Sequence, residues 1–352
     1  MNPFIIMIIT SISIVACQSS NNNDTNPDNS NTTTIIQNPD CPLNNGQPGS
    51  SVAQNIEFNG KNRTYQIHLP TNYDCTDRPL IIGFHGYYGN GKDFEENTSE
   101  MFSTIDDRGY IGIFPDGLQM SDSGWQADVT SFNDIDSHNS SGSDGPTCTE
   151  DAFDYGVYQN CPTNEGLDAC NWGTSCADDE GFIRYLIEYT KNTWSIDSNR
   201  IFMTGFSQGG QTTQSLAWRL SDIIAAVSPQ HGFSANGFTV SPPVPIGLFQ
   251  VWGTTDRIVD GNDTPSNDGM IYDGASETAL IWADGLGCNL DPTVYATPYD
   301  GIEGFTCEEY ANCPSGKKVV SCSWDGGHRW GKSGNTNFAL LAMLDFFELH
   351  SL

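Results

Sequence analysis

The chain has 352 residues, of which 44 are acidic and 14 are Lys or Arg, so its formal net charge at pH 7 is −30. This charge argues against binding to nucleic acid, to acidic membrane surfaces or to polyanionic substrates, because each of these partners needs Lys and Arg side chains. Aromatic residues make up 11% of the chain and 36 residues are glycine, which is typical of a folded protein with many loops.

The first 17 residues predict an export signal. Residues 4–15 are apolar but too few to span a bilayer comfortably. The segment ends in Ile-Val-Ala-Cys at Cys17, which resembles a bacterial lipoprotein signal whose cysteine carries lipid after cleavage, although no Lys or Arg precedes the apolar stretch. A plainly secreted chain is the alternative. Either way, we expect an exported protein, outside the cell or at its surface, with membrane contact only through a lipid on Cys17.

Residues 18–50 are rich in Asn, Asp, Ser, Thr and Pro and contain almost no apolar side chains. This composition predicts a disordered polar tether behind the anchor, or a disordered tail without an anchor. The folded domain is therefore expected at residues 51–352.

Ten of the eleven cysteines remain when Cys17 is set aside. An even number in an exported chain predicts five disulfides. A zinc site is the weaker interpretation, because the pairs Cys170/Cys176 and Cys307/Cys313 have five residues between them and no two histidines lie close in sequence. The pairing of these cysteines is open from the sequence. A disulfide between Cys288 and Cys322 is one possibility, which would brace the region before His328.

Strand-like and helix-like segments alternate from residue 52 onward. Two strands around Asn59-Gly60 predict an antiparallel hairpin at the edge of a sheet. Short apolar runs then predict strands within residues 78–86, 110–117, 200–205, 224–232, 245–253 and 317–324. Helical spacing or glycine-terminated segments predict helices at 93–109, 178–194, 207–220, 275–287 and 335–350. The alternation predicts an α/β fold, with a mostly parallel sheet between helices on both faces.

Residues 125–178 interrupt this alternation with a long, polar segment that contains four cysteines. We expect a disulfide-stapled insertion over one end of the sheet, since ordinary loops are much shorter. Its acidic residues suggest calcium, but residues 134–145 lack the glycine that an EF-hand loop needs after the third ligand position. A solvated acidic surface is the preferred interpretation, and no metal is expected.

Ser207 lies in the sequence Gly-Phe-Ser-Gln-Gly, between a predicted strand and a predicted helix. In that position G-x-S-x-G predicts a nucleophile elbow, a strained turn on which the serine hydroxyl is exposed and the glycines avoid collisions. A structural turn is the alternative. A serine nucleophile needs a base that is itself oriented by an acid.

Candidates for the base and the acid follow Ser207 in the chain. His328 lies in a glycine-lined loop after the predicted strand at 317–324, and we prefer it as the base over His231, which follows Ser207 too closely. Asp256 directly follows a strand and is therefore held more firmly than Asp260, the alternative acid.

Two backbone amides are expected to bind the oxyanion. One belongs to Gln208, which follows the nucleophile, and the other to Tyr87, in the glycine-rich loop after the strand at 78–86. His85 would brace that loop. Four aromatic side chains predict a surface that contacts the substrate, and the alternative is that they pack the insertion. They are Tyr88, Trp125, Trp172 and Trp330.

Six ordered motifs together resemble one family. They are PLIIGFHG, IGIFPDG, DDEGFIRYLIEY, IDSNRIFMTGFSQGG, WGTTDRIV and WDGGHRW, and the resemblance covers residues 56–349. The chain is similar to the secreted esterases that include poly(3-hydroxybutyrate) depolymerases, feruloyl esterases and acetylxylan esterases. The resemblance implies an α/β-hydrolase fold and hydrolysis of a carboxylic ester through an acyl-enzyme, without a cofactor. By motif position it implies Ser207 as nucleophile, Asp256 as acid and His328 as base.

Two other functions remain open at this point. A peptidase of the same fold would cleave amides and usually carries an extra gating domain, for which the chain has no spare length. A non-catalytic surface-binding lipoprotein on the same scaffold would commonly lack one of the three catalytic residues, and all three are present here. The expected partner is an ester substrate, including polymeric plant polysaccharide esters or polyesters, and the insertion at 125–178 makes the choice between them open.

Overall fold

The computed structural model of the protein describes residues 41–119, 129–133, 142–156, 161, 170 and 172–352. The predicted export signal with Cys17, the tether as far as residue 40, and Trp125 lie outside these residues. Among the helices that are described, none has the length and apolar character needed to cross a membrane.

An antiparallel hairpin forms one edge of the sheet. Strands β1 (Ser50–Phe58) and β2 (Lys61–Leu69) pair directly, with Phe58 opposite Lys61. The two residues between them, Asn59 and Gly60, have φ angles of 50° and 73°. A two-residue turn with both φ angles positive is the one that matches the twist of paired strands. The hairpin predicted from Asn59-Gly60 is thus confirmed.

The central sheet has ten strands within the described residues. Besides β1 and β2, the strands of the described residues, in this sheet or in a separate ribbon, are β3 (Arg78–Phe84), β4 (Ile111–Pro115), β5 (Leu118–Gln119), β6 (Thr130–Ser131), β7 (Ile196–Phe206), β8 (Ala226–Gln230), β9 (Gly247–Gly253), β10 (Thr293–Val294), β11 (Thr306–Tyr310) and β12 (Val319–Trp324). The order across the sheet is β1-β2-β4-β3-β7-β8-β9-β12-β11-β10, while β5 and β6 form a separate ribbon. The six strands from β4 to β12 in this order are parallel, and both edges are antiparallel.

Helices cover both faces of this sheet. They are α1 (Gly91–Asp93), α2 (Phe102–Asp107), α3 (Asp179–Thr193), α4 (Gln208–Leu220), α5 (Ala275–Gly285) and α6 (Phe338–Phe347). Side chains of α3, α4 and α5 share one buried apolar cluster, and those of α2 and α6 share another. Along β3, Leu80 and Ile82 join the first cluster and Ile81 the second, because successive strand residues face opposite sides of the sheet. The predicted α/β architecture is confirmed.

The segment at residues 93–109 is not the single helix that its sequence predicts. After α1 comes a π-helical turn at Phe94–Thr98, and the chain breaks at Glu100, whose φ is 50°, before α2 begins. The Ser99 hydroxyl donates to the Phe94 carbonyl at 2.8 Å, and the Ser99 carbonyl accepts from Asn337 Nδ2 at 2.6 Å. These side-chain bonds replace helix bonds at the break, which apolar spacing alone does not reveal.

Ten cysteines of the described residues form the five expected disulfides. The pairs are Cys41–Cys75, Cys148–Cys170, Cys161–Cys176, Cys288–Cys313 and Cys307–Cys322. The predicted pair Cys288–Cys322 is wrong. Antiparallel pairing of β11 with β12 places Cys307 directly opposite Cys322, so Cys288, after α5, bonds to Cys313 instead.

The last part of the predicted tether is attached to the folded domain. Cys41 is bonded to Cys75, Asn44 Nδ2 donates to the Thr193 carbonyl at 2.7 Å, and Trp194 Nε1 donates to the Leu43 carbonyl at 3.2 Å. Residues 41–49 therefore add to the domain, because one covalent bond and several hydrogen bonds fix a segment that has few apolar side chains.

The described parts of the insertion lie against the loops that follow β8 and β9. Ser143 Oγ donates to the Gly237 carbonyl at 3.1 Å, and the Thr149 amide donates to the Gly269 carbonyl at 2.8 Å. Two disulfides, Cys148–Cys170 and Cys161–Cys176, lie within the insertion. Because β8 and β9 end at the same edge of the parallel sheet, the described parts of the insertion border that edge.

Candidate active site

Ser207 occupies a sharp turn between β7 and α4. Its φ and ψ are 57° and −124°, a conformation that a residue with a Cβ rarely adopts. A Cβ atom on Gly205 would lie 2.2 Å from the Gly209 carbonyl oxygen, and one on Gly209 would lie 2.1 Å from the Phe84 carbonyl oxygen. Both glycines of the motif are thus required by backbone packing. The turn has the geometry of a nucleophile elbow.

His328 connects Ser207 to Asp256. Its Nε2 lies 2.8 Å from Ser207 Oγ, and its Nδ1 lies 2.8 Å from Asp256 Oδ2. An ionised carboxylate only accepts hydrogen bonds, so Nδ1 carries a proton and, in the neutral ring, Nε2 accepts from the serine hydroxyl. The structure therefore brings together the three residues that the sequence predicts, in the chain order Ser, Asp, His.

Asp256 is almost completely buried, at 1% exposure, yet each oxygen has two donors. Oδ1 accepts from the backbone amides of Ile258 and Val259, at 2.9 and 3.1 Å, while Oδ2 accepts from His231 and His328. Burial alone raises the pKa of this carboxyl, but the hydrogen bonds from the two histidines outweigh burial and bring the pKa below its usual range. The group is therefore a carboxylate at neutral pH.

Asp260, the alternative acid, is occupied within its own loop. Its Oδ2 accepts from Arg257 Nη1 and from Thr264 Oγ1, both at 2.9 Å, and its Oδ1 accepts from Asn262. The preference for Asp256 agrees with the geometry.

His231 lies in the same cluster, although not as the base. It is fully buried, its Nδ1 lies 2.8 Å from Asp256 Oδ2, and its Nε2 accepts from Trp324 Nε1 at 3.1 Å. Both ring nitrogens are thus engaged away from Ser207. The sequence did contain a signal for this position, because His231 directly follows β8, the neighbour of both β7 and β9.

The cluster of His231, Asp256 and His328 also has the composition of a metal site, with ligand atoms within 4.8 Å of one another. Both Nδ1 atoms, however, lie at hydrogen-bond distance from the carboxylate, and each donates a hydrogen bond to it. A metal ligand needs the nitrogen lone pair instead. The arrangement is therefore suited to hydrogen bonding rather than to metal coordination.

The loop after β3 lies beside Ser207. A Cβ on Gly86 would be 3.3 Å from Ser207 Cβ, so the backbone directly before Tyr87 closely approaches the serine. The Tyr88 amide is engaged, because it donates to the Thr130 carbonyl at 3.0 Å. Gln208 begins α4, whose first N–H groups have no partners within the helix. These positions are compatible with the expected oxyanion donors, the amides of Tyr87 and Gln208.

His85 braces the same loop. Its Nδ1 donates to the Gly86 carbonyl at 2.7 Å, and its Nε2 accepts from the Gly117 amide at 2.9 Å. Burial lowers the pKa of this imidazole and keeps it neutral, as one donor and one acceptor require.

The Gln208 side chain forms a connection that the sequence does not reveal. It is 4% exposed, and its Nε2 donates to Ser131 Oγ in β6 at 2.7 Å. The elbow is thereby attached to the first part of the insertion.

The aromatic candidates occupy different environments. Tyr88 is 55% exposed, whereas Trp330 is buried and donates from Nε1 to Asn337 Oδ1 at 2.8 Å. Trp172 packs edge-on against Tyr272 in a separate apolar cluster, which agrees with a packing role. A pocket of about 400 Å³ next to His328 is lined by Asn97, Thr98, Phe206, His328, Arg329, Trp330 and Lys332.

Known proteins that resemble this chain in sequence or in structure include esterases. Feruloyl esterase B of Piromyces equi is 26% identical over 71% of this chain, and the chain spans only 39% of that protein. Feruloyl esterase B of Thermothelomyces thermophilus is 25% identical over 72% of this chain and 81% of its own length. The structure of an acetyl xylan esterase from Aspergillus awamori superposes with a TM-score of 0.53 at 14% identity, covering 85% of this chain and 99% of that one. No protein-family model matches.

The chain has the α/β-hydrolase fold. The likeness to the solved structure establishes this fold, and the sequence relatives confirm the resemblance to feruloyl esterases that the six motifs indicated.

Proposed function

We propose that this α/β-hydrolase is a serine carboxylic ester hydrolase in which Ser207 is the nucleophile, His328 the general base and Asp256 the orienting acid. The observation that carries the proposal is the hydrogen-bonded series from Ser207 Oγ through His328 to Asp256, with both distances at 2.8 Å. This series lies next to a helix N-terminus and a loop of closely approaching backbone, as acyl transfer requires.

In the first half of the reaction, Ser207 Oγ attacks the carbonyl carbon of the ester. The hydroxyl proton moves to His328 Nε2, and the carbonyl π electrons move to the oxygen, which becomes an oxyanion. The amides of Tyr87 and Gln208 donate to that oxygen. When the carbonyl re-forms, the bond to the alcohol oxygen breaks and His328 gives its proton to the leaving alkoxide, so the acyl group remains on Ser207.

In the second half, water takes the place of the alcohol. His328 Nε2 removes a proton from the water as its oxygen attacks the acyl carbon. Collapse of the second oxyanion releases the carboxylic acid and returns the proton to Ser207 Oγ. Asp256 stays ionised throughout and stabilises the imidazolium through Nδ1. The cycle needs no cofactor.

The proposed substrates are esters attached to plant polysaccharides, as the names of the relatives suggest. The pocket beside His328 is about the size of pockets that hold small organic ligands, roughly 300–1,000 Å³. Phe206 and Trp330 line this pocket together with the polar residues Asn97 and Thr98. Tyr88, which is exposed, and Trp125 are the other residues that we propose to contact an aromatic acyl group or a sugar.

The proposed location is outside the cytoplasm. Five disulfides among the described residues suit an oxidising compartment. Attachment to a membrane through lipid on Cys17 is part of the proposal and is tested by mass analysis of the mature N-terminal peptide.

Hydrolysis of p-nitrophenyl acetate by the wild type and by Ser207→Ala tests the proposal. We expect the substitution to abolish turnover while the thermal melt stays unchanged, because the alanine keeps the Cβ in the same turn. Unchanged turnover would remove Ser207 from the reaction.

A panel of methyl ferulate, acetylated xylan, poly(3-hydroxybutyrate) and a peptide amide then separates the substrate classes. Highest kcat/KM on the ferulate or the acetylated xylan supports the proposal. Preference for the polyester or for the amide would contradict the proposed substrate class, and binding without any hydrolysis would indicate a surface-binding protein.

A further inference from the structure

We propose that His231 is a positioning residue that holds the carboxylate of Asp256 for His328. This inference rests on the proposed function, because it assigns a role within the same site. The two imidazoles donate to one oxygen, Asp256 Oδ2, each from Nδ1 at 2.8 Å. Their rings meet edge to face, with centroids 5.9 Å apart.

The tautomer of His231 is fixed from its other side. Trp324 Nε1 can only donate, and it lies 3.1 Å from His231 Nε2, so Nε2 holds a lone pair and the ring proton is on Nδ1. That proton faces Asp256 Oδ2. The indole of Trp324, which is completely buried, therefore determines which hydrogen bond His231 makes.

The backbone around His231 is also held in an unusual conformation. Its φ is 50°, and its amide donates to the Val251 carbonyl at 2.8 Å. A Cβ on the next residue, Gly232, would lie 2.4 Å from the Ser207 carbonyl oxygen. A positive φ is costly for a histidine and needs surrounding contacts to maintain it. The fold thus packs the backbone after His231 against the nucleophile turn, while the imidazole of His231 faces the acid.

The hydrogen bonds indicate what His231 contributes during the reaction. When His328 gains the proton of Ser207, a positive charge forms 2.8 Å from Oδ2. His231 remains neutral, because the N–H of Trp324 occupies the lone pair of Nε2, where a second proton would have to bind. Burial lowers the pKa of His231 more than Asp256 raises it, and the charges of His328 and Arg329 act in the same direction as burial. His231 therefore shares the carboxylate oxygen without competing for the proton and prevents the carboxyl from rotating away.

The experiment compares His231→Ala with His231→Asn. Asparagine tolerates a positive φ and can place its amide N–H near the position of Nδ1, whereas alanine removes the donor. With p-nitrophenyl acetate, we expect His231→Ala to lower kcat about 10- to 100-fold, since misplaced catalytic groups cost up to about 100-fold. KM should stay within about twofold, because His231 is buried behind Asp256 and touches no substrate. His231→Asn should recover most of the loss.

Rescue by asparagine distinguishes positioning from packing. A role in packing alone would leave His231→Ala and His231→Asn equally impaired, whereas a positioning role needs only an N–H donor near the place of Nδ1. Trp324→Phe, which removes the N–H that fixes the tautomer, should lower kcat in the same direction but less.

Two controls keep the result interpretable. Rates are expressed per folded molecule, measured by near-ultraviolet circular dichroism, and His350→Ala removes another buried histidine that lies far from the site at the end of the chain. We expect His350→Ala to keep the wild-type kcat. Wild-type kcat in His231→Ala, or equal losses in the alanine and asparagine variants, would overturn the role of His231. Activity that survives in Ser207→Ala would instead overturn the proposed function.

Discussion

Asp256 and Ser207 show how single residues define the site. Asp256 receives four donated hydrogen bonds in a buried position, two from backbone amides and two from imidazoles. Ser207 keeps a backbone conformation that only its two flanking glycines make possible. We therefore expect conservative substitutions at these two residues to have large effects on rate and small ones on folding.

Asp256→Asn tests the expected effect of a conservative substitution on the rate. Asparagine can retain the bonds from Ile258 and Val259, but its amide N–H₂ would face Nδ1 of His328 and favour the wrong tautomer. We expect kcat on p-nitrophenyl acetate to fall by about 10⁴-fold, as for a triad acid elsewhere. The matched control is Asp260→Asn, in the same loop, which should keep the wild-type rate. A loss below tenfold in Asp256→Asn would contradict its role.

At the level of secondary structure, the site results from four neighbouring parallel strands. Ser207 follows β7, His231 follows β8, Asp256 lies three residues after β9, and His328 lies four residues after β12. These strands are adjacent in the sheet in this order. Because parallel strands all end at one edge, residues far apart in sequence meet there. The position of these strand ends therefore explains why His328 can form hydrogen bonds with Ser207 and Asp256.

The sequence predicted those residues that follow a recognisable pattern. The elbow motif, the Asn59-Gly60 turn and the order Ser207, Asp256, His328 are each encoded locally or by strand ends. The role of His231 was not predicted, because the sharing of one carboxylate oxygen depends on the three-dimensional approach of Trp324. The pairing of Cys288 failed for a similar reason, since the register of β11 against β12 decides which sulfur atoms meet.

The broken helix at residues 93–109 carries a second buried polar cluster, and it predicts a pH dependence of stability. Glu95 is fully buried on this segment, and Ser51 donates to it at 2.5 Å. Burial raises the pKa of Glu95 to about 7, and the Ser51 bond only partly opposes this rise. His68, 3.5 Å away, is kept neutral because burial lowers its pKa to about 4.

The direction of this pH dependence follows from the raised pKa of Glu95. The folded state binds the Glu95 proton more tightly than the unfolded state, in which the pKa of this carboxyl is close to its ordinary value of 4.5. This contribution to the free energy of unfolding is therefore complete below pH ~4.5 and is lost as the pH rises through ~7. Glu95→Gln, which is always neutral, should be the more stable protein at pH ~8 by on the order of 1–3 kcal/mol and should lose the advantage at pH ~4.

Urea unfolding of both proteins at the two pH values measures this difference. Glu96→Gln, on the adjacent exposed position, is the control and should show no such dependence. Equal stability of Glu95→Gln and the wild type at both pH values would show that Glu95 ionises freely in the folded state.

For the molecule as a whole, disulfides connect the segments that border the sheet. Cys41–Cys75 ties residues 41–49 to the domain across a separation of 34 residues, and the other four pairs close shorter loops around the insertion and the β11–β12 edge. Cross-links of this length stabilise mainly by restricting the unfolded chain. They leave the arrangement of the four strand ends unchanged.

The double variant Cys41→Ser/Cys75→Ser tests this separation of stability from activity. We expect the free energy of unfolding to fall by about 3–4 kcal/mol, from the length of the opened loop. The kcat per folded molecule should not change, because the disulfide lies on the hairpin side of the sheet rather than at the site. A proportional loss of kcat in the folded variant would show that residues 41–49 influence the site.

Covalent labelling of Ser207 is the most direct test of the central claim, which is that the contacts of His328 and Asp256 make this hydroxyl a nucleophile. The wild type is treated with a fluorophosphonate, and intact and peptide masses are measured beside Ser207→Ala and His328→Ala. We predict one label per molecule on Ser207 in the wild type, none in Ser207→Ala, and a labelling rate lowered by at least about 100-fold in His328→Ala. Absence of the label from the folded wild type, or a label on another residue, would contradict the account.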